Sequence, residues 1–157
     1  MASSLFDGLR SVMRQIAGEP RVVRDDQPDE LILAVAALLF HVIDADGVVT
    51  DDERARLIDV LVSDYGLSAG EAERVAEAGR AANDEAVDLY HFTSILKNRL
   101  DEAARIRFVE ELWEVTFADG QVHELEDNVI WRVSDLLGVS TRDRMLRKRA
   151  VAGRTAD

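Results

Sequence analysis

Apolar side chains recur every three or four residues along most of the chain, which is the spacing of one face of an α-helix. From Asp29 onward this pattern predicts helices over residues 29–45, 50–65, 68–82, 86–99, 102–117, 123–137 and 141–150. No stretch alternates apolar and polar residues over a length that indicates a β-strand. The pattern therefore predicts an all-α fold, a compact bundle of about seven helices.

Two of the predicted helices begin with a recognisable capping signal. Thr50 and Ser68 are each followed, three residues later, by a glutamate: Glu53 and Glu71. This is the capping-box pattern, in which the hydroxyl accepts a hydrogen bond from the backbone of the third helical residue. The glutamate in turn accepts from the backbone N–H of the cap residue. These signals support the predicted starts of two helices.

Residues 4–17 form a separate amphipathic pattern ahead of the main body. A predicted N-terminal amphipathic helix carries large apolar residues on one face: Leu5, Leu9, Val12 and Ile16. Residues 18–28 contain both prolines of the chain and are typical of a linker. The apolar face is expected to pack on the core or on a second copy of the chain. Its two arginines and one aspartate give only a weak signal for peripheral contact with a membrane.

The expected organisation has three parts. An N-terminal helix and linker cover residues 1–28, a helical domain covers 29–150, and a C-terminal tail covers 151–157. The longest apolar run, residues 31–45, is shorter than the roughly 20 residues that a membrane span requires. No block of signal-peptide type opens the chain. We therefore expect a cytoplasmic protein without a transmembrane segment.

An acidic loop occurs twice in the chain. Residues 44–53 are DADGVVTDDE, and residues 117–126 are FADGQVHELE. A shift of 73 residues aligns the acidic positions: Asp46 with Asp119, and Glu53 with Glu126. This indicates an internal repeat of helix, loop and helix. We expect two such repeats to pack face to face about a pseudo-twofold axis, each burying the apolar side of the other.

Each loop overlaps the second half of a calcium-binding EF-hand loop. In that loop, oxygen ligands precede a glycine at position 6, and a glutamate closes the site at position 12. With Gly47 at position 6, Asp46 takes position 5, but Val42 at position 1 offers no side-chain oxygen. The second loop has Val115 and Phe117 at positions 1 and 3. A degenerate EF-hand-like calcium site therefore remains only an alternative.

A different metal site would form if the two loops approached each other across the pseudo-twofold axis. The candidate metal ligands are then Asp46, Glu53, Asp119 and Glu126. Four convergent carboxylates repel one another unless a cation or protons neutralise them. A purely structural interpretation stays open. Aspartates in turns accept hydrogen bonds from the backbone, and a glutamate can serve only as the closing residue of a capping box.

The amino-acid composition limits which metal ions and partners the protein could bind. The chain contains no cysteine, so a bound metal would be a hard divalent cation such as Ca²⁺, Mg²⁺ or Mn²⁺. Residues 1–141 hold 13 Lys and Arg against 29 Asp and Glu, whereas residues 142–157 hold six against two. The acidic body argues against nucleic-acid binding, which depends on a basic surface. The basic end is expected to be a last helix with cations near its C-terminus, where the helix dipole favours them.

Signatures of catalysis are absent from the sequence. It has no Gly-x-Ser-x-Gly, no phosphate-binding glycine loop and no His-Glu-x-x-His. His41 lies within the apolar helix and is expected to be a hydrogen-bonded core histidine. We therefore predict that the protein is not an enzyme and carries no cofactor other than a divalent cation.

With both loops in view, the chain resembles the TerB-like family, which is named for a tellurite-resistance protein. The matching features are IDADGVVTDDE and TFADGQVHELEDNVIWRVSDLLGVS, and the resemblance covers residues 29–150. The piece VDLYHFTSIL is similar to an uncharacterised bacterial branch of the family. The same fold occurs as the N-terminal domain of a membrane-linked DnaJ-type co-chaperone. This chain has no His-Pro-Asp triplet, so J-domain activity is not inferred.

The resemblance implies a seven-helix domain linked to tellurite and other stress responses, with an acidic surface for metal ions or partner proteins. We therefore predict a non-enzymatic stress-response module that uses its duplicated loops to bind a divalent cation or a partner protein. One alternative is a protein-interaction adaptor or homodimer whose loops are purely structural. The other is the degenerate EF-hand-like calcium binder.

Overall fold

The computed structural model describes residues 29–84 and 89–156 of the chain. These residues form seven α-helices: α1 (Glu30–Ile43), α2 (Asp51–Tyr65), α3 (Ala69–Asp84), α4 (Leu89–Arg99), α5 (Glu102–Thr116), α6 (Glu124–Leu136) and α7 (Thr141–Ala156). A single 3₁₀ turn, Phe117–Asp119, follows α5. The described residues contain no β-strand, so the prediction of an all-α fold is confirmed.

The predicted boundaries hold to within a few residues, except at the last helix. Helix α7 runs to Ala156 instead of ending at residue 150, and Val151 within this extension is buried. The predicted N-terminal helix and linker, residues 1–28, lie outside the described residues. The pseudo-twofold packing of the two repeats stays a prediction.

Helix α1 forms the centre of the core. Its sequence is almost continuously apolar, and eleven of its fourteen residues are buried. Helices α3 and α4 make the most extensive contacts with it. A helix that is apolar on all sides is expected to be surrounded by others. In the described part of the chain, no helix is both long and apolar enough to cross a membrane.

Capping hydrogen bonds define where α2 and α3 begin. In α2, the Glu53 N–H donates to Thr50 Oγ1 at 3.1 Å, and the Thr50 N–H donates to Glu53 Oε1 at 3.0 Å. In α3, the Glu71 N–H donates to Ser68 Oγ at 3.1 Å, and the Ser68 N–H donates to Glu71 Oε1 at 2.8 Å. Both predicted capping boxes are therefore confirmed.

Gly79 allows α3 to approach α1 closely. A Cβ built at this position would lie 2.6 Å from the Ala36 Cβ and 2.8 Å from the Ala36 carbonyl carbon. Both distances are well below the roughly 3.5 Å of a normal carbon–carbon contact. Because one of the two clashing atoms belongs to the backbone of α1, a side-chain rotation cannot relieve the overlap.

We expect Gly79→Ala to lower the free energy of unfolding by about 1–3 kcal/mol, because the two helices must separate. This loss outweighs the preference of roughly 1 kcal/mol for alanine over glycine in a helix. The matched control is Gly153→Ala in α7, where an added Cβ meets nothing within 4 Å. Urea unfolding of both variants checks the prediction, and equal stability for Gly79→Ala and the parent chain would refute it.

The basic C-terminal helix is docked on the acidic helix α5. Arg154 Nη2 lies 2.8 Å from Glu110 Oε2 and 3.1 Å from Glu114 Oε2. The indole N–H of the buried Trp113 donates to the Arg144 carbonyl at 3.2 Å. The excess positive charge of residues 142–157 therefore partly neutralises α5.

Arg107 on α5 is surrounded by carboxyl groups. The nearest approaches to its guanidinium are 2.6 Å for Asp64, 3.2 Å for Glu110, 3.5 Å for Glu114 and 3.9 Å for Glu111. Glu111 is fully buried and accepts a hydrogen bond from the Tyr65 hydroxyl at 2.8 Å. Burial, together with a hydrogen bond to Asp64, raises the pKa of Glu111 well above its usual range. This polar network ties α2 to α5.

Candidate functional site

The two acidic loops adopt the same local structure. Asp46 Oδ1 accepts from the Val48 N–H at 3.0 Å, and Asp119 Oδ1 accepts from the Gln121 N–H at 3.1 Å. The glycine after each aspartate has a positive φ, +83° at position 47 and +88° at position 120. Side chains other than glycine rarely adopt this conformation. The aspartates and glycines thus build the same turn twice, 73 residues apart.

The glutamate of each loop caps the helix that follows. The Thr50 N–H donates to Glu53 Oε1 at 3.0 Å, and the His123 N–H donates to Glu126 Oε1 at 3.0 Å. One oxygen of each carboxyl group is therefore held by the backbone of its own loop. These hydrogen bonds fix the orientation of each carboxyl group and therefore the direction of its second oxygen.

The two glutamates meet in the interior. Glu53 is 1% exposed and Glu126 is 0% exposed, and the carboxyl group of Glu53 lies close enough to that of Glu126 to raise its pKa. With both carboxyl groups ionised, Glu126 Oε2 is buried and has no hydrogen-bond donor among the described residues. A hydrogen bond between two carboxyl groups requires that one of them carry a proton. We call Glu53 and Glu126 the glutamate pair.

Electrostatics favours retention of that proton. Burial is the main cause that raises the pKa of Glu126 to about 8, and the hydrogen bond to Glu53 adds to it. The charges of Glu53 and Asp46 raise it further, whereas the His123 N–H lowers it. Two buried carboxylates in contact cannot both ionise cheaply. We therefore expect Glu126 to be protonated at neutral pH.

The four predicted site residues differ in their placement. Glu53 and Glu126 are in contact, and Asp46 lies near enough for its charge to affect Glu126. Asp119 is exposed, and it accepts a hydrogen bond from the Gln121 N–H within its own loop. Across residues 29–84 and 89–156, no three His, Asp or Glu side chains already form a set that could hold a metal ion. The loops converge through their glutamates rather than through all four carboxylates.

Sequence reasoning did not anticipate the burial of the two glutamates. A signal was available, because the apolar residues one helical turn later, Leu57 and Ile130, are both fully buried. Residues four apart on a helix share a face. This signal is not sufficient alone, because Glu71 also caps a helix and precedes the buried Val75 by four residues, yet it is exposed.

Asn83 is a polar residue near the first loop that sequence reasoning missed. Its side-chain N–H donates to Asp44 Oδ2 at 3.4 Å, and its carbonyl oxygen lies 3.0 Å from His41 Nδ1. The expectation of a hydrogen-bonded His41 is confirmed, although this residue is only half-buried. Asp44 thus has a structural partner on α3 and does not belong to the glutamate pair.

These features define an all-α module whose two acidic loops are joined by a buried carboxyl pair. The family model described as "Tellurite resistance protein TerB" matches residues 32–148. The chain therefore belongs to the TerB family, as the two loop motifs predicted.

Among solved structures, the chain is similar to a protein of unknown function, PG1108, from Porphyromonas gingivalis W83. The TM-score is 0.58 at 16% sequence identity, and the match covers 84% of this chain and 97% of that one. At this identity the similarity shows a shared fold alone. The search of curated proteins finds no match.

Proposed function

We propose that this chain is a non-enzymatic, cytoplasmic stress-response module of the tellurite-resistance type, which binds a divalent cation between its two acidic loops. The observation that carries the proposal is the glutamate pair. It is buried, it links the two repeated loops, and Glu126 Oε2 has no donor among the described residues. In the ionised pair this oxygen lacks a partner, and a divalent cation could neutralise both carboxylates in place of a proton.

The chemistry of the site favours a small cation that needs few protein ligands. Glu53 and Glu126 would hold the ion, and Asp46 and Asp119 would add negative charge from the two turns. Mg²⁺ is commonly bound through one or two carboxylates and keeps several waters, whereas Ca²⁺ takes about six to eight oxygen ligands. We therefore expect Mg²⁺ or Mn²⁺ to bind more tightly than Ca²⁺. This order of affinity separates the proposal from the EF-hand-like alternative.

Isothermal titration calorimetry with MgCl₂, MnCl₂ and CaCl₂ tests the proposal. Because the cation displaces a proton, affinity should rise about tenfold per pH unit below the pKa of the pair, from about pH 6 to about pH 8. Each cation bound should release one proton, which titrations in buffers of different ionisation enthalpy measure.

The decisive variant is the double substitution Glu53→Gln/Glu126→Gln, which should abolish binding. Asp51→Asn/Asp52→Asn is the matched control, because these carboxylates lie in the first turn of α2 but are exposed. Absence of heat at millimolar cation, or equal binding by both double variants, would refute a cation site at the glutamate pair.

The protein-interaction alternative has its own supporting observation. Leu125 and Trp131 are 53% and 52% exposed on α6, which begins directly after the second loop. Tryptophan is enriched among the anchors of protein interfaces, so the exposed Trp131 supports a partner surface on α6. The predicted dimer contact through Leu5, Leu9, Val12 and Ile16 lies outside the described residues.

A further inference from the structure

Helix α7 is held on the rest of the chain mainly by polar contacts. Among the side chains that the structure describes in α7, Val151 is the one that is buried, whereas eleven of the fourteen residues of α1 are buried. Arg154 and Arg147 lie 2.8 Å and 3.6 Å from carboxylate oxygens of Glu110 on α5. A helix that buries so little apolar surface gains little from the hydrophobic effect. Charge attraction therefore supplies much of the docking of α7.

Beneath α7 lies a face of α5 that is both acidic and aromatic. Trp113 is fully buried, its indole N–H donates to the Arg144 carbonyl at 3.2 Å, and Lys148 Nζ lies 5.1 Å from its ring centroid. Glu110 lies three residues before Trp113 and four before Glu114, and residues at these spacings share a helical face. We call Glu110, Trp113 and Glu114 the α5 seat. Its indole and its carboxylates are all in contact with α7.

The carboxylates of the α5 seat keep other cations when α7 is removed. The Arg107 guanidinium, on α5 itself, lies 3.2 Å from Glu110 and 3.5 Å from Glu114. Arg56 of α2 lies 4.0 Å from Glu114. A buried charge that loses its only partner is costly, because nothing compensates it. Detachment of α7 leaves neither glutamate without a cation, so the seat tolerates an open state.

We propose that α7 is a detachable strap that leaves the α5 seat as a unit and opens it to a basic amphipathic helix of a partner protein. Helix α7 itself shows which chemistry the seat accepts: arginines against the two glutamates, and a lysine over the indole. A partner helix with the same pattern would form the same contacts. While α7 is docked, its contact with the seat is autoinhibitory. The proposal goes beyond the cation site and requires neither a cation nor the glutamate pair.

Hydrogen exchange of the full chain, followed by NMR in NaCl at about 0.1 M and about 1 M, tests the detachment. The Debye length falls from about 10 Å to about 3 Å between these concentrations, which weakens attraction between exposed charges. We expect amide protection in α7 to fall about tenfold. The indole N–H of Trp113 should lose protection by the same factor, because its acceptor lies on α7. Amides of α1 should keep or gain protection, because salt also screens repulsion within a chain of net charge −12.

Two double variants separate the docking contacts from the general charge of α7. Arg147→Ala/Arg154→Ala removes both arginines that pair with the α5 seat, and it should lower the protection of α7 about tenfold in low salt. The matched control is Arg142→Ala/Arg149→Ala. It removes two exposed arginines of α7 that make no ion pair in the described part of the chain, and it should leave the protection of α7 unchanged.

A labelled peptide with the sequence of residues 141–156 is the probe for the open seat. Its apparent Kd equals the intrinsic Kd divided by the fraction of chains in which the seat is open. The Arg147→Ala/Arg154→Ala chain should therefore bind the peptide about tenfold more tightly than the parent chain. The Arg142→Ala/Arg149→Ala chain has the same net charge as that variant and should bind like the parent chain. A scrambled peptide should not distinguish the three chains.

Several outcomes would overturn the inference. If α7 and α1 lose protection together, α7 detaches only when the whole chain unfolds. If the loss is confined to the last turn of α7 and the Trp113 indole N–H stays protected, the helix frays and does not detach. Equal effects of the two double variants would show that docking does not depend on the α5 seat. Equal binding of the peptide by all three chains, or no binding at millimolar peptide, would show that the seat does not accept a basic helix.

Discussion

Replacing Arg107 with alanine is expected to lower the free energy of unfolding by about 3 kcal/mol, the largest loss of stability predicted for a single substitution in this chain. Arg107 contacts the carboxyl groups of Asp64 and Glu111, for which the described residues provide no other cation within 4 Å. Removing a cation from a buried cluster leaves the remaining charges without compensation. The loss should shrink in acid, where protonation of the carboxylates relieves their repulsion.

Chemical denaturation at neutral pH measures the effect, and two variants control for its cause. Arg107→Lys keeps the charge but loses the planar fork that reaches several carboxylates, so an intermediate loss is expected. Arg80→Ala removes an arginine that pairs with Glu77 and Asp84 on the exposed surface of α3. Exposed pairs contribute about 0–1 kcal/mol. Similar losses for Arg107→Ala and Arg80→Ala would show that the cluster does not stabilise the fold.

The second large effect concerns pH and the glutamate pair. In the folded chain the pKa of Glu126 is raised to about 8, mainly by burial, from an ordinary value of 4.5. At pH values between 4.5 and about 8, Glu126 is protonated in the folded state but ionised in the unfolded chain. Stability should therefore fall as pH rises through this window, by up to about 1.4 kcal/mol per pH unit.

Glu126→Gln should remove that part of the pH dependence, because the amide stays neutral and can still donate a hydrogen bond to Glu53. The variant is expected to match the parent chain near pH 5 and to exceed its stability near pH 8. Glu124→Gln, two residues earlier on α6 and exposed, is the control that should leave the slope unchanged. Thermal unfolding from acid to mild base gives the slope of stability against pH for each variant. Parallel plots of stability against pH for Glu126→Gln and the parent chain would exclude the buried, protonated pair.

Much of this fold can be predicted from local sequence. The helices follow from apolar spacing, and Thr50 and Ser68 form the capping boxes that their spacing to Glu53 and Glu71 predicts. The two loops also follow, because aspartate and glycine are both favoured in turns and recur at matching positions of the repeat. These features depend on neighbours a few residues away, which a single sequence records directly.

Contacts between distant segments could not be predicted in the same way. The environment of Arg107 depends on how α2 packs on α5, and the bond from Asn83 to Asp44 depends on α3 lying beside α1. The repeat suggested that four carboxylates converge, but the packing brings the glutamates together and leaves Asp119 at the surface. A sequence pattern identifies which residues match, whereas their relative depth is set by tertiary packing.

The measurement that tests the joined loops most directly is a ¹³C NMR titration of the glutamate side-chain carboxyl carbons in the full chain. We expect the carboxyl group of Glu126 to keep its proton up to about pH 8. Titration of Glu126 near the ordinary value of 4.5 would show that its carboxyl group is solvated, which contradicts the joining of the two loops through the glutamate pair.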